Sequence, residues 1–199
     1  MKAQTPCRTD AIVDSMQDQR RARFEAVIEE VGEPLGRFLV RRTDPETAQD
    51  VLADTFLVIW RRVDDVPTDA ALPWCYAVVR NCLANAQRSA RRQRGLVARI
   101  ARLPPPAVED PDPDLPDSEL HEAMIALRPR DREVIVLWAW EDLTAAEIAV
   151  VLGITANAVN IRLHRARMRL AALLAETEHG KSRGTAGQNR SRTGELHDR

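Results

Sequence analysis

Three observations predict an all-α fold made of two small helical domains. Apolar residues recur at helical spacing in every periodic segment, and no alternating strand pattern occurs in the chain. An acidic, proline-rich stretch, LPPPAVEDPDPDLPDS at 103–118, separates two sets of helical segments. Residues 144–170, TAAEIAVVLGITANAVNIRLHRARMRL, read as a helix, a tight turn and a second helix with a polar, basic outer face.

The elements follow in order. Residues 1–21 precede the first periodic segment and lack the apolar centre of a signal peptide, so they are expected to be a flexible leader. Phe24, Val27, Ile28, Val31, Leu35, Phe38 and Leu39 lie on one helical face over 24–40, with Gly32 and Pro34 expected to distort that helix near its middle. Asp44 is placed to cap a second helix with Pro45 at its first position. Ala48, Val51, Leu52, Thr55, Phe56, Ile59 and Val63 form its inner side, which leaves Asp50 and Asp54 as an exposed acidic edge. After a loop at 64–72, a third helix runs from about Pro73 to Arg94, with Trp74, Ala77, Val78, Cys82 and Leu83 inward and a basic distal half. The first domain is thus expected over 22–95.

Residues 96–117 are expected to form the linker. The stretch 103–118 holds six Pro and five acids with little to bury, a composition for an extended, solvated chain. The second domain, 118–175, begins with helices over about Ser118–Leu127 and Arg130–Trp140. Thr144 and Glu147 then form a capping box, Ile148, Ala149, Val151 and Leu152 give a short helix its apolar face, and Gly153 can take the left-handed conformation that ends it. Thr155 caps the next helix, where Val159, Leu163, Ala166 and Leu170, spaced 4, 3 and 4, line the buried face. Asn157, Asn160, Ile161, His164, Arg165 and Met168 face outward. Asn suits adenine and Arg suits guanine in a major groove, while basic residues such as Arg162 and Arg167, toward the flanks, reach phosphates. An ordinary helical hairpin with a solvated basic face is the alternative; the coincidence of capping box, glycine turn and basic second helix favours DNA. From Glu176 onward the periodicity stops, and 176–199 is expected to be a disordered tail.

Charge and composition narrow the partners. The net charge of −1 hides opposed blocks: seven Arg and no acid from Arg80 to Arg102, then seven acids and no Lys or Arg from Leu103 to Glu122. Such segregation suggests two surfaces with different partners, one of them polyanionic, where local charge balance is the simpler alternative. No run of eighteen apolar residues exists, so no membrane insertion is expected and the cytoplasm is the expected location. Cys7, Cys75 and Cys82 are an odd set without a CxxC pair, which argues against a disulfide framework or a zinc site. There is no Gly-rich phosphate loop, no HExxH and no nucleophile paired with a base at motif spacing, and the four His, at 121, 164, 179 and 197, are scattered. Neither enzymatic activity, nor a cofactor, nor a metal is expected.

The order of segments resembles the sigma-70 family of bacterial transcription initiation factors in its short extracytoplasmic-function form, which keeps only the second and fourth sigma domains. DPETAQDVLADTFLVIWRRV resembles the helix that grips core RNA polymerase, PWCYAVVRNCLANAQRSARR the helix that reads the −10 element, and ALRPRDREVIVLWAWEDLTAAEIAVVLGITANAVNIRLHRARMRL the domain that reads the −35 element. The resemblance implies core polymerase, promoter DNA (melted at −10, double-stranded at −35) and an anti-sigma factor as partners. It implies polymerase contact by Asp50 and Asp54, capture of an unstacked −10 base by Asn81, and phosphate contacts by Arg80, Arg88, Arg91 and Arg92. On the −35 side it implies readout through Asn157, Asn160, Ile161, His164 and Arg165, with Arg167 at the backbone. Two departures stand out. The loop Val66–Ala71, which forms the −10 base pocket in the family, reads VPTDAA without the usual aromatic or basic residue. Ile161 stands where a small hydroxyl residue is common, and can touch a thymine methyl but donate no hydrogen bond. Two other functions share these motifs: a stand-alone helix-turn-helix regulator, which would need a dimer to span two half-sites, and a sigma-like interaction adaptor.

Overall fold

A computed structural model of the chain describes residues 8–101 and 118–188, with side chains over 15–97 and 119–176. Among the described residues every regular element is helical: α1 (Arg8–Val40), α2 (Pro45–Arg61), a 3-10 turn (Val63–Asp65), α3 (Ala71–Ala101), α4 (Ser118–Ala126), α5 (Pro129–Ala139), α6 (Ala145–Leu152) and α7 (Ala156–Gln188). The proline-rich segment 102–117 lies outside the described residues.

Local chemistry sets the helix boundaries. At the start of α2 the Thr47 amide donates to Asp44 Oδ1 at 2.9 Å, with Pro45 in the first turn. The same bond holds the Asp44 carboxyl below its ordinary range, so the cap is complete at neutral pH and weakens only as pH falls through that lowered value. At α6 the Glu147 amide donates to Thr144 Oγ1 at 3.3 Å while the Thr144 amide donates to Glu147 Oε2 at 2.8 Å, which closes the capping box. Gly153 ends α6 at φ 65°, and the chain turns by 103° between Ala145–Leu152 and Ala156–Glu176. The Ala158 amide then donates to Thr155 Oγ1 at 3.2 Å, the cap expected for α7.

Several expected boundaries move. Residues 8–21 are helical rather than a flexible leader, and Arg20 reaches from α1 to Asp64 at 2.7 Å and to the carbonyls of Trp60 and Arg61 at 3.0 and 3.1 Å, capping the end of α2. Gly32 and Pro34 do not interrupt α1. An interior proline costs about 3 kcal/mol. Burying Val31, Leu35, Phe38 and Leu39 around it returns roughly 1.5–3 kcal/mol for each side chain, so packing wins. The third helix starts at Ala71 and continues past residue 95 to Ala101, and α7 continues past 176 to Gln188. An established helix extends cheaply, one hydrogen bond for each residue added.

The largest departure concerns the core. Composition predicts a separate core for each domain, but one apolar cluster joins Val31, Leu35, Leu39, Tyr76, Val79 and Leu83 of the first helical unit to Val134, Leu137, Leu143, Ile148 and Val159 of the second. Helices α1, α2 and α3 pack on one another, α4, α5 and α6 pack on α7 or on each other, and α6 lies directly against α3. A smaller cluster of Met124, Leu127, Ile135, Val136 and Ala166 belongs to the second unit alone.

These caps give a direct prediction. Gly153→Ala forces a side chain into the left-handed region and should cost about 1–2 kcal/mol. Thr144→Ala opens the capping box and should cost about 1 kcal/mol. Urea denaturation of the two single variants checks both figures; a cost for Gly153→Asn as large as that for Gly153→Ala would contradict the conformational explanation.

Candidate DNA-binding and polymerase-binding surfaces

On α7 the sequence periodicity becomes a physical division. Val159 and Ala166 are buried, Leu163 and Leu170 half-buried, and Asn157, Asn160, Ile161, His164 and Arg165 all exposed on the other side. Ile161 keeps 45 % of its surface, a large apolar group left in water where no core requires it. Arg167 is not free in solvent: its guanidinium stacks 4.8 Å from the centre of the Trp138 ring. Arg162 stands 3.9 Å from Asp131, within ion-pair reach.

The candidate −10 residues fall on two strips of α3. Asn81, Arg88 and Arg92, two turns and one turn apart, share an exposed strip with Asn85, which the sequence reading had missed although its spacing marks it. Arg88 donates to Asn85 Oδ1 at 2.7 Å and to the Ala84 carbonyl at 3.1 Å. Arg80 and Arg91 lie on the neighbouring strip. Arg91 is exposed, but Arg80 is engaged by the second unit: both its Nε and Nη2 donate to Glu133, the latter at 3.2 Å. That hydrogen bond raises the Arg80 pKa, so the guanidinium is charged at any accessible pH. Val66, at the start of the departing loop, is buried, and its carbonyl accepts from Arg23 at 2.7 Å. Trp74 packs half-buried against the core with Arg62 5.1 Å above its ring, in keeping with a core role.

On α2, Asp50 and Asp54 are exposed at the spacing of one turn, and Leu57 continues their strip with half its surface in solvent. Leu57 was not singled out from the sequence; an apolar residue at i+7 from Asp50 and on the acidic face was the available signal. A cleft of about 640 Å³ lined by Asp54, Leu57, Arg61, Asn85, Arg88 and Arg92 connects this edge to the exposed strip of α3. Cys82 also lines this cleft, whereas Cys75 belongs to the core. Cys75 is buried and its thiol pushed up to about 12 by desolvation, and burial likewise raises Cys82. Both are free thiols. Among the described residues no group of three or more His, Cys, Asp or Glu is placed to hold a metal ion, and no single helix is long and apolar enough to cross a membrane.

Residues 117–170 match the family described as Sigma-70, region 4. The chain is 34% identical over 134 residues to the RNA polymerase sigma factor CarQ of Myxococcus xanthus, covering 66% of this chain and 76% of that protein. It is 32% identical over 164 residues to the ECF RNA polymerase sigma factor SigL of Mycobacterium tuberculosis, covering 78% and 90%. Among solved structures, CnrH in complex with the cytosolic domain of CnrY superposes with a TM-score of 0.52 at 28% identity, covering 77% of this chain and 88% of that one. The fold is also that of the sigma factor RpoE of Bartonella quintana, solved with the anti-sigma factor NepR: TM-score 0.55, 21% identity, covering 76% and 96%. A chain that pairs an acidic-edged helix with a basic helix and a capped helix-turn-helix, at these identities, belongs to the sigma-70 family of RNA polymerase sigma factors, in its extracytoplasmic-function group. It is a sigma factor, which binds core RNA polymerase and directs it to promoters through their −10 and −35 elements.

The two arginines of α3 should behave differently without any DNA. Arg80→Ala leaves the half-buried Glu133 carboxylate without its partner and should cost about 1 kcal/mol after screening by solvent, whereas Arg88→Ala at an exposed position should stay within about 0.5 kcal/mol of the parent. Thermal or urea unfolding of the two variants compares them; equal effects would mean the Glu133 pair carries no net stability.

Proposed function

We propose that the three exposed surfaces divide the work of promoter recognition as follows. Asp50 and Asp54, with Leu57 beside them, dock on core polymerase, the acids pairing with basic residues of the partner and the leucine supplying apolar contact. Asn81 receives an unstacked base of the melted −10 strand, and Arg80, Arg88, Arg91 and Arg92 hold its phosphates. Asn157, Asn160, Ile161, His164 and Arg165 read the −35 duplex in the major groove, and Arg167 contacts its backbone. The observation that carries this reading is the coincidence on α7 of a fully buried Val159 and Ala166 with an opposite face of side chains suited to base edges, exposed along its N-terminal half.

The promoter-reading units are residues 22–95 and 118–175, with 96–117 as the connection between them. Chemistry at the nucleotide is left to the polymerase, and the site of action is the cytoplasm, where polymerase and promoter meet. An anti-sigma factor is a further partner, by analogy with the Bartonella RpoE, which was solved with the anti-sigma factor NepR.

Run-off transcription with purified core polymerase tests the function as a whole. Replacing Asp50 and Asp54 together by Arg should weaken core binding by roughly 2–4 kcal/mol through like-charge contact, read by co-purification; undiminished co-purification would remove α2 from the interface. In a promoter-library selection Asn160→Ala should relax one −35 position at a cost of about 1–3 kcal/mol, while Arg167→Ala should weaken all sequences alike and flatten the salt dependence. A uniform loss for Asn160→Ala would mean that another face of α7 enters the groove.

A further inference from the structure

The second helical unit encloses a hollow that its own side chains do not fill. Helices α4 and α5 both pack on α7, and a cavity of about 340 Å³ remains where the three meet. Leu120 and Met124 line it from α4, Trp138 from α5 and Leu170 and Leu174 from α7, with Trp140 at the end of α5. Leu120, Trp140 and Leu170 are only half-buried although they pack against the core of this unit, and Trp138 keeps 40 % of its surface. Apolar surface facing a hollow is what a bound ligand removes from water, and few polar groups in such a wall fix the ligand's orientation.

Among the described residues that line the cavity, one side chain is charged. It is Arg167, whose guanidinium stands 4.8 Å from the centre of the Trp138 ring. Among the described residues no carboxylate pairs with it, and contact with an indole leaves guanidinium N–H groups to donate elsewhere. An apolar wall with a single guanidinium selects a chain with one anionic end. A neutral hydrocarbon leaves the cation unanswered, and a polyanion finds a single partner. Size narrows the choice. At roughly the 30 Å³ that a water takes in the liquid, the cavity holds about eleven heavy atoms, the size of octanoate. The anchors that a docking helix sets down at i, i+3, i+4 and i+7 spread along a groove over two turns instead. We propose that this cavity binds a medium-chain alkyl carboxylate, its tail among the leucines and tryptophans and its head on Arg167. Arg167 is also the residue assigned to the −35 backbone, so the bound carboxylate takes the guanidinium that a phosphate would use and weakens −35 binding. That consequence rests on the assignment of α7 to −35; the site itself does not.

Isothermal titration of the full chain with octanoate tests the site, with 1-octanol as its neutral counterpart. Arg167→Gln should weaken octanoate at least tenfold and leave 1-octanol within about twofold, since the charge-assisted bond is the difference between them. Ala171→Trp, at an exposed position on the cavity's edge, should abolish binding of both by filling the space, with helical circular dichroism retained. With core polymerase present, saturating octanoate should lower the parent's affinity for a −35 duplex about fivefold and leave that of Arg167→Gln unmoved. No heat from octanoate, or undiminished heat in Ala171→Trp, overturns the site. Octanoate binding that Arg167→Gln does not weaken overturns the anionic ligand. Expulsion of octanoate by core polymerase alone makes the cavity a polymerase contact and overturns the ligand reading. Unchanged duplex affinity in the octanoate-bound parent, where Arg167→Gln does weaken the duplex, overturns the coupling. If octanoate binds as expected but parent and Arg167→Gln hold the duplex equally, the assignment of α7 has failed and the site stands without it.

Discussion

A carboxylate withdrawn from water must be met by compensating charge, and for Glu141 that charge comes from the other helical unit. Desolvating it costs several kcal/mol, which Arg41, Arg42 and the Tyr76 hydroxyl offset together. The partners are altered in turn. Burial pushes the Arg42 pKa down while Glu141 holds it up, and burial with the adjacent carboxylate raises the Tyr76 pKa, which keeps its phenol protonated and able to donate. The packing of Tyr76 on Phe38, with Arg42 3.6 Å above the Phe38 ring, ties this polar cluster to the apolar core. The seam between the units therefore combines a continuous core with charges that neither unit satisfies alone.

That seam sorts the surfaces by use. Helix α6, the most apolar of the short helices, is covered by α3 on one side and α7 on another. The recognition face of α7 and the acidic edge of α2 point away from the contact and stay accessible. Helix α3 is shared, with its Asn81 strip in solvent and its Arg80 strip partly taken by Glu133.

The surface left by this packing also explains why the chain can be nearly neutral overall and still act on DNA. Helix α3 carries Arg80, Arg88, Arg91, Arg92 and Arg94 and α7 carries Arg162, Arg165, Arg167 and Arg169, while Asp50 and Asp54 form an acidic edge on α2 and Glu133 and Glu141 face the seam. Net charge is a poor guide to partners in such a molecule, because the field that a ligand meets is set by the nearest ten ångströms or so of surface.

Much of this was legible in the sequence wherever the cause is local. Asp44 with Thr47, Thr144 with Glu147, Gly153 and Thr155 act within three or four residues of themselves, and helical periodicity alone separates Val159 and Ala166 from Asn157, Asn160 and Arg165. The fold class, the helix-turn-helix and the exposed acidic edge follow from such short-range rules. Longer-range partners were not legible: Arg20 with Asp64, Arg23 with the Val66 carbonyl, Arg80 with Glu133 and Arg41 and Arg42 with Glu141 are each more than forty residues apart. Periodicity marks Glu133 and Arg80 as polar but cannot say that they meet, because pairing depends on how the units dock. The sequence by itself determined which residues form helices and which face of each is apolar, since those follow from backbone hydrogen bonding and side-chain spacing. Whether the two units share a core, and which charges the shared seam removes from water, was decided only in the tertiary structure, where burial converts an ordinary glutamate into a group that must have a partner.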